Sequence, residues 1–151
     1  GLYYNNELVS LMTFGKLRKN MGRNDTNNTY ELIRFCNKLN TNVVGGASKL
    51  FKHFIKEFNP NSVISYADRR WSNGNLYTKL NFSHVHNSRP NYFYIIGHKR
   101  KNRFGFRKDI LVKEGYDANK SEHQIMFDRG IYRIYDCGTM LFEYKNIYNK
   151  K

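Results

Sequence analysis

The clearest pattern along the chain is a change in the spacing of hydrophobic residues near residue 45. Before it, Leu2–Tyr4, Glu7–Phe14 and Thr29–Cys36 are short stretches of strand type, the first two joined by an Asn-Asn turn. From Gly45 the spacing becomes that of an amphipathic helix. Its apolar stripe consists of Leu50, Phe51, Phe54, Ile55 and Phe58. The first third of the chain therefore predicts a hairpin, a further strand and a helix.

The remaining hydrophobic pattern continues to alternate between strand and helix spacing. The predicted elements are a buried strand at Ser62–Ala67, a short helix at Asn73–Leu80, strands at Phe82–His86 and Tyr92–Gly97, helices near Asp109–Glu114 and Ser121–Arg129, and a closing hairpin around Gly138. Ser121 is a candidate N-cap. We predict an α/β fold with a core at residues 1–97 and a basic helical and hairpin extension at residues 98–151, packed on the same domain.

Charge points to the class of partner. The chain has 26 Lys and Arg against 12 Asp and Glu, a net charge of +14. This excess predicts a polyanionic partner, and DNA is the first candidate. A membrane is the rival, but no apolar run approaches the roughly 18 residues that a span requires. A structural protein with an acidic protein partner is a further alternative.

The predicted DNA-binding surface combines cations with one stacking side chain. Trp71 follows two arginines, and an indole stacks on bases while guanidinium groups hold phosphates. The alternative is that each of these residues is an ordinary surface side chain. The candidate residues are Lys16, Arg18, Lys19, Arg23, Arg69, Arg70, Trp71, Lys99, Arg100, Lys101, Arg103, Arg107 and Lys108.

The cysteines and histidines predict no metal site. Cys36 and Cys137 are too few for a disulfide framework and lack the paired spacing of zinc ligands. The sequence thus predicts an intracellular, cytoplasmic protein. The chain opens directly in strand-like residues, which fits one part of a longer protein.

Two local features are candidates for catalysis. The turn formed by Val44, Gly45, Gly46, Ala47 and Ser48 precedes the amphipathic helix, where backbone N–H groups can receive a phosphate. The alternative is a close-packed loop. Asp68 lies at the end of a predicted buried strand, beside Arg69 and Arg70. It is a candidate general base, and the alternative is a carboxylate that fixes a loop.

The order of elements from residue 1 to residue 97 resembles the GNAT acyltransferase core. In that family the glycine-rich turn holds the pyrophosphate of an acyl-CoA; here the motif is partial and reads Asn42-Val43-Val44-Gly45-Gly46-Ala47. The resemblance implies a GNAT-like mixed twisted sheet flanked by helices, with acetyl-CoA or another acyl-CoA as possible cofactor. It also implies Asp68 as base and Tyr77 as acid, although a helical tyrosine is more often a core residue.

A second resemblance covers nearly the whole chain. Three stretches, "ELIRFCNKL", "SYADRRWSNGNLYTKLNF" and "FRKDILVKEGYDANKSEHQIMFDRGIYRIYDCG", are similar to the C-terminal region of phage homing-endonuclease-like proteins. The segment Tyr66-Ala67-Asp68, with Gly74, Tyr77 and Phe82, is also similar to the Mom group of phage DNA-modifying proteins, which have a GNAT-like fold. These resemblances imply a DNA-binding recognition or accessory domain whose nuclease module lies elsewhere. The alternative is a Mom-like acyl-CoA-dependent transferase that modifies a DNA base or an amine.

Overall fold

The computed structural model describes residues 1–17 and 27–147. The chain divides into two compact units, Gly1–Ser88 with Thr139–Lys151, and Arg89–Gly138. The first is called the sheet unit and the second the inserted unit. This division differs from the predicted one, which separated residues 1–97 from residues 98–151.

The described elements are strands and helices in mixed order. Their bounds are β1 Leu2–Tyr4, β2 Glu7–Lys16, β3 Thr29–Asn37, α1 Gly46–Phe58, β4 Ser62–Asp68, α2 Asn75–Lys79, β5 Ser83–Asn87, β6 Tyr92–Ile96, β7 Lys99–Asn102, a 3-10 turn Arg103–Phe106, α3 Lys108–Lys113, α4 Glu122–Asp128, β8 Arg133–Tyr135 and β9 Thr139–Lys145. The α/β class predicted from the sequence is confirmed.

Among its described residues, the sheet unit contains a six-stranded mixed sheet in the order β1-β2-β3-β4-β9-β5. The predicted hairpin is present, because Asn5 and Asn6 adopt positive φ angles of 49° and 62° and turn β1 back onto β2. β3 and β4 are parallel and are connected through α1. The neighbours β4 and β9, and β9 and β5, pair antiparallel.

The core of the sheet unit is built on the apolar stripe of α1. Leu50, Phe51 and Phe54 are buried, as the helical spacing predicted. The Phe54 ring stacks on Phe14 of β2, with a centroid separation of 3.6 Å. Phe58 belongs to the same stripe but is 56% exposed, because the helix ends at the next residue, Asn59, which has a positive φ.

The last strand corrects the sequence prediction. The closing hairpin around Gly138 is wrong, because β8 pairs with β6 whereas β9 pairs with β4 and β5. The physical reason is that β9 is apolar on both faces, with Leu141 and Phe142 each buried. Such a strand is stabilised in the interior of a sheet rather than at an exposed edge.

The inserted unit has a small core of its own. Its described strands form a sheet in the order β7-β6-β8. Tyr94 of β6 packs with Leu111 of α3 and with Ile125 and Met126 of α4, and all four are buried. Ser121 caps α4 as predicted: its hydroxyl accepts from the N–H of Gln124, whose side chain accepts from the N–H of Ser121.

No helix within residues 1–17 and 27–147 combines the length and the apolar character needed to cross a lipid bilayer.

Gly74 provides a test of the packing around α2. It has a φ of 82°, and a Cβ at this position would lie 2.3 Å from Cζ of Phe142. We expect Gly74→Ala to lower the free energy of unfolding by about 2 to 4 kcal/mol, from backbone strain plus overpacking. Gly45→Ala is the control, because Gly45 has a similar φ of 70° but nothing within 4 Å of its added Cβ. Equal losses in urea unfolding would contradict the packing around Gly74.

Candidate functional site

Asp68 forms the turn that follows β4. Its Oδ1 accepts a hydrogen bond from the backbone N–H of Arg70 at 2.8 Å, and its Oδ2 lies 3.3 Å from Nη2 of the same arginine. Its backbone carbonyl accepts from the N–H groups of Trp71 and Ser72. This is the geometry of an aspartate that fixes a loop. The role of Asp68 as a base stays a prediction.

The turn places an aromatic side chain in solvent. Trp71 is 78% exposed, and the guanidinium of Arg70 lies 5.0 Å from its ring centre. The Asp68 carboxylate and the indole therefore hold Arg70 from two sides. The structure thus brings together Asp68, Arg70 and Trp71, three of the residues predicted from the sequence. Arg69 between them is exposed.

The ring of Tyr77, on α2, packs against the core, and its hydroxyl group contacts strand β4. The ring stacks on Phe142 at 4.7 Å, and the hydroxyl oxygen lies 3.0 Å from Oγ of Ser65 on β4. Ser65 Oγ also lies 2.8 Å from the carbonyl oxygen of Leu32. Ser65 has one hydroxyl proton, so it donates either to the Leu32 carbonyl or to the Tyr77 hydroxyl oxygen, while the Tyr77 hydroxyl donates to the backbone carbonyl of Tyr66 at 3.5 Å. Within the described residues, Tyr77 makes no hydrogen bond to Asp68.

β3 and β4 diverge beside Tyr77. The two strands pair only from Thr29 to Glu31 on β3 and from Ser62 to Ile64 on β4, although both continue beyond these residues. Past this point the Ser65–Leu32 bond replaces the regular ladder. A pocket of about 230 Å³ lies beside this part of β3 and is lined by Leu32, Ile33, Arg34 and Phe35 of β3 and by Leu76 and Tyr77 of α2. A strand edge inside a pocket can pair with an extended ligand that carries amide groups.

The glycine turn begins α1. Gly45 has a φ of 70°, and the N–H of Gly46 donates to the carbonyl of Val43 at 3.0 Å. Val44 is 91% exposed, whereas Gly46 is buried, and a Cβ there would lie 3.0 Å from Cγ1 of Val43. The next N–H groups, those of Ala47 and Ser48, belong to the first helical turn, which lacks acceptors within the helix. The turn thus contains both close packing and N–H groups suited to an anion.

The inserted unit contains a dense set of exposed cations. We define the basic edge as Lys99, Arg100 and Lys101 of β7 together with Arg103, Arg107 and Lys108, which follow it. β7 lies at the edge of its sheet, and each of these side chains is exposed except Arg103, which is half-buried. The guanidinium of Arg100 lies 4.4 Å from the Phe93 ring centre, and that of Arg103 lies 5.0 Å from the Tyr92 ring centre. Aromatic rings therefore order two of the arginines.

A polar network behind the basic edge was not predicted from the sequence. Glu122 Oε1 accepts hydrogen bonds from the hydroxyls of Tyr92 and Tyr94, at 2.7 and 2.8 Å. Arg133 donates from Nε to the Tyr94 hydroxyl and lies 3.5 Å from the same carboxylate. Tyr92 and Tyr94 are two residues apart on one strand and so share a face, which is the signal that sequence reasoning missed.

The structure describes only part of the first predicted basic loop. Arg18, Lys19 and Arg23 lie outside the described residues. Lys16 ends β2, where its ammonium group lies 4.3 Å from the ring centre of Tyr30. Within residues 1–17 and 27–147, no cluster of three His, Cys, Asp or Glu residues has the geometry of a metal site.

Comparison of the chain with protein-family models and with curated proteins gave no match. Its function must therefore be inferred from the geometry and charge described here.

The network predicts alkaline sensitivity. Burial, joined by the hydrogen bond to Glu122, raises the pKa of Tyr94 to about 12 from its ordinary 10.0. The folded state thus favours the neutral phenol, so this stabilisation is complete below pH 10 and is lost as the pH rises towards 12. We expect the free energy of unfolding of the wild type to fall more steeply between pH 10 and 12 than that of Tyr94→Phe. Tyr132→Phe, at an exposed tyrosine, should follow the wild type in urea titrations; a Tyr94→Phe profile parallel to both would refute the role of the network.

Proposed function

We propose that this chain binds DNA through the basic edge and serves as the recognition or accessory part of a homing-endonuclease-like protein. The observation that carries the proposal is the concentration of charge. Residues Arg89–Gly138 contain eleven Lys and Arg against six Asp and Glu, a net charge of +5. Six of those cations and none of those acids lie between Lys99 and Lys108.

The cations of the basic edge are available to phosphates. Within the described residues, Arg107 is the only one of them within 4.0 Å of a carboxylate, that of Asp109 at 3.4 Å. The others have no acidic partner to lose when they bind a phosphate, so binding carries little cost from broken ion pairs. Lys99 and Lys101 lie on one face of the edge strand and Arg100 on the other, so this edge presents cations to a nucleic-acid backbone on both faces.

The stacking contacts support nucleic acid over a generic acidic protein. Arg100 on Phe93 and Arg103 on Tyr92 present flat guanidinium groups, which bind phosphate oxygens in pairs. Phe104, within the same segment, is 60% exposed and can stack on an unpaired base. In the sheet unit, Arg70 and Trp71 repeat the combination of a guanidinium with an exposed ring.

Charge reversal tests DNA binding at the basic edge. We expect the double variant Arg100→Glu, Lys101→Glu to weaken a DNA complex by at least about tenfold, because each charged contact contributes about 1.5 to 3 kcal/mol. The slope of log K against log salt should become shallower by about 1.4 to 1.8 if two phosphate contacts are lost. Fluorescence anisotropy with labelled duplex and single-stranded oligonucleotides measures both quantities.

The matched control is Lys49→Glu, Lys113→Glu, which makes the same change in net charge at exposed residues outside the basic edge. It should retain most of the affinity and the full salt slope. If both double variants weaken binding equally, the interaction is with overall charge and the basic edge is not a binding site. Absence of any DNA complex at low salt would favour an acidic protein partner.

A second candidate function rests on the divergence of β3 and β4. We propose that the sheet unit is GNAT-like and transfers an acyl group from acyl-CoA to a DNA base or an amine. The strand order, with a helix after β3 and a parallel β4, supports this fold. The acyl-CoA arm carries amide groups that can pair with the free edge of β3 in the pocket beside Tyr77, and the N–H groups at Ala47 and Ser48 can receive its pyrophosphate.

Tyr77 has the contacts that a proton donor requires. Tyr77 lines the pocket, and Ser65 and the Tyr66 carbonyl orient its hydroxyl; in the proposed reaction this hydroxyl protonates the leaving thiolate while the amine loses its proton to a base. Asp68 is the candidate base, although it is engaged with Arg70. The bond between the acyl carbon and sulfur breaks as the bond between that carbon and nitrogen forms.

Binding of acetyl-CoA tests the second function. We expect acetyl-CoA to raise the melting temperature in a concentration-dependent way, by mass action on the folded state. Val44→Glu should reduce the shift, because its carboxylate stands in solvent beside the glycine turn and repels the pyrophosphate without disturbing the core. Tyr77→Phe should keep the shift but lose transfer to amines. A melting temperature unchanged at millimolar acetyl-CoA would eliminate this function and leave DNA binding untouched.

A further inference from the structure

A cleft of about 410 Å³ lies between α1 and the residues that follow α2. Its floor and sides are apolar, formed in part by Phe51, Leu80 and Tyr144, of which the first two are buried. Three lysines line it as well: Lys52 and Lys56 of α1, and Lys79 of α2. We call it the lysine cleft. Its volume lies within the range of small-molecule sites.

The lysine cleft is at the opposite end of the sheet from the turn that contains Asp68. Tyr144 pairs with Val63 near the start of β4, whereas Asp68 pairs with Thr139 at the other end of the same two strands. The pocket beside Tyr77 is lined by a separate set of residues. The cleft shares Ser48 with the glycine turn, but it shares no lining residue with the pocket beside Tyr77 and none with the basic edge.

The charge of the lysine cleft is uncompensated. Over the part of the chain that the structure describes, no carboxylate lies within 4.0 Å of Lys52, Lys56 or Lys79, whereas Lys38, Arg70, Arg107, Lys120, Arg133 and Lys145 each form a salt bridge. Lys52 and Lys56 are four residues apart and so share one side of α1. An adjoining cavity of about 490 Å³ contains Lys145 with Glu143 at 4.0 Å, so its charges are balanced.

The apolar floor and the three lysines together indicate which class of ligand fits the lysine cleft. An inorganic anion would satisfy the lysines but leave the apolar floor in water, and an uncharged apolar ligand would leave three ammonium groups without a partner. A fatty acid brings a single carboxylate for three lysines. A ligand with several phosphate charges and a flat, weakly polar ring satisfies both surfaces at once.

We propose that the lysine cleft binds a free nucleoside polyphosphate, with the base against Phe51, Leu80 and Tyr144 and the phosphates on Lys52, Lys56 and Lys79. This assignment does not rest on DNA binding or on acyl transfer. It adds a small-molecule site to the sheet unit that extends along α1 from Ser48 in the first turn to Lys56 in the last turn.

Calorimetric titration of the full chain with ATP tests the proposal, with tripolyphosphate and adenosine as comparison ligands. We expect ATP to bind at one site per chain, and both comparison ligands to bind at least about tenfold more weakly, since each lacks one half of the interaction. Tripolyphosphate that binds as tightly as ATP, or ATP that does not bind at millimolar concentration, would overturn the assignment.

Variants locate the site. Lys52→Glu, Lys56→Glu should weaken ATP binding by at least about tenfold. Lys52→Gln, Lys56→Gln removes the charge without reversing it, and it replaces the first variant if circular dichroism shows that variant to be unfolded. Arg100→Glu, Lys101→Glu is the matched control and should bind ATP like the wild type. Equal losses in the cleft and basic-edge variants, or no loss in either cleft variant, would overturn the proposal.

The source of the nucleotide is tested by competition. An excess of the oligonucleotide (dT)8 should leave the binding of ATP unchanged, because the lysine cleft is assigned to a free nucleotide. Displacement of ATP would show that the cleft is part of the path of a nucleic-acid strand and would overturn that assignment. Failure of DNA binding at the basic edge leaves the ATP measurement unaffected, so the two proposals succeed or fail separately.

Discussion

The pairing of β9 with β4 is the interaction on which the rest of the sheet unit depends. All seven residues of β4 have a partner on β9, from Ser62 with Lys145 to Asp68 with Thr139. Two side chains of β9 then position the helices, because Phe142 stacks under Tyr77 of α2 and Tyr144 contacts Phe51 of α1 edge to face. Because the inserted unit separates the two strands in sequence, their pairing costs chain entropy. Burial of the apolar side chains on both faces of β9 offsets this cost.

The same pairing sets the two ends of the sheet unit apart. At one end, β4 finishes in Asp68 and the turn that exposes Trp71, and β3 and α2 line the pocket beside Tyr77. At the other end, β9 brings Tyr144 under α1 and completes the lysine cleft. One unit thus offers two chemically distinct surfaces, which lie at opposite ends of the paired strands β4 and β9.

The inserted unit supports its cations in a different way. Its core is small, and Glu122, Arg133, Tyr92 and Tyr94 add a network of charged hydrogen bonds beside it. The network and the basic edge share Tyr92, whose ring contacts both Arg133 and Arg103. Ordering of Arg103 by this ring reduces the side-chain entropy that a phosphate contact would otherwise cost.

The sequence by itself determined the elements whose signal is local. The Asn5-Asn6 hairpin, the apolar stripe of α1, the N-cap at Ser121 and the exposed cations of the basic edge follow from backbone preference, helical period and charge, which neighbouring residues express directly. Tertiary structure alone decided that β9 leaves the predicted hairpin to enter the interior of the six-stranded sheet, and that lysines of two helices line one apolar cleft. These features join residues that are distant in the chain. They are stabilised by side-chain burial and strand pairing, which exist only once the sheet has formed.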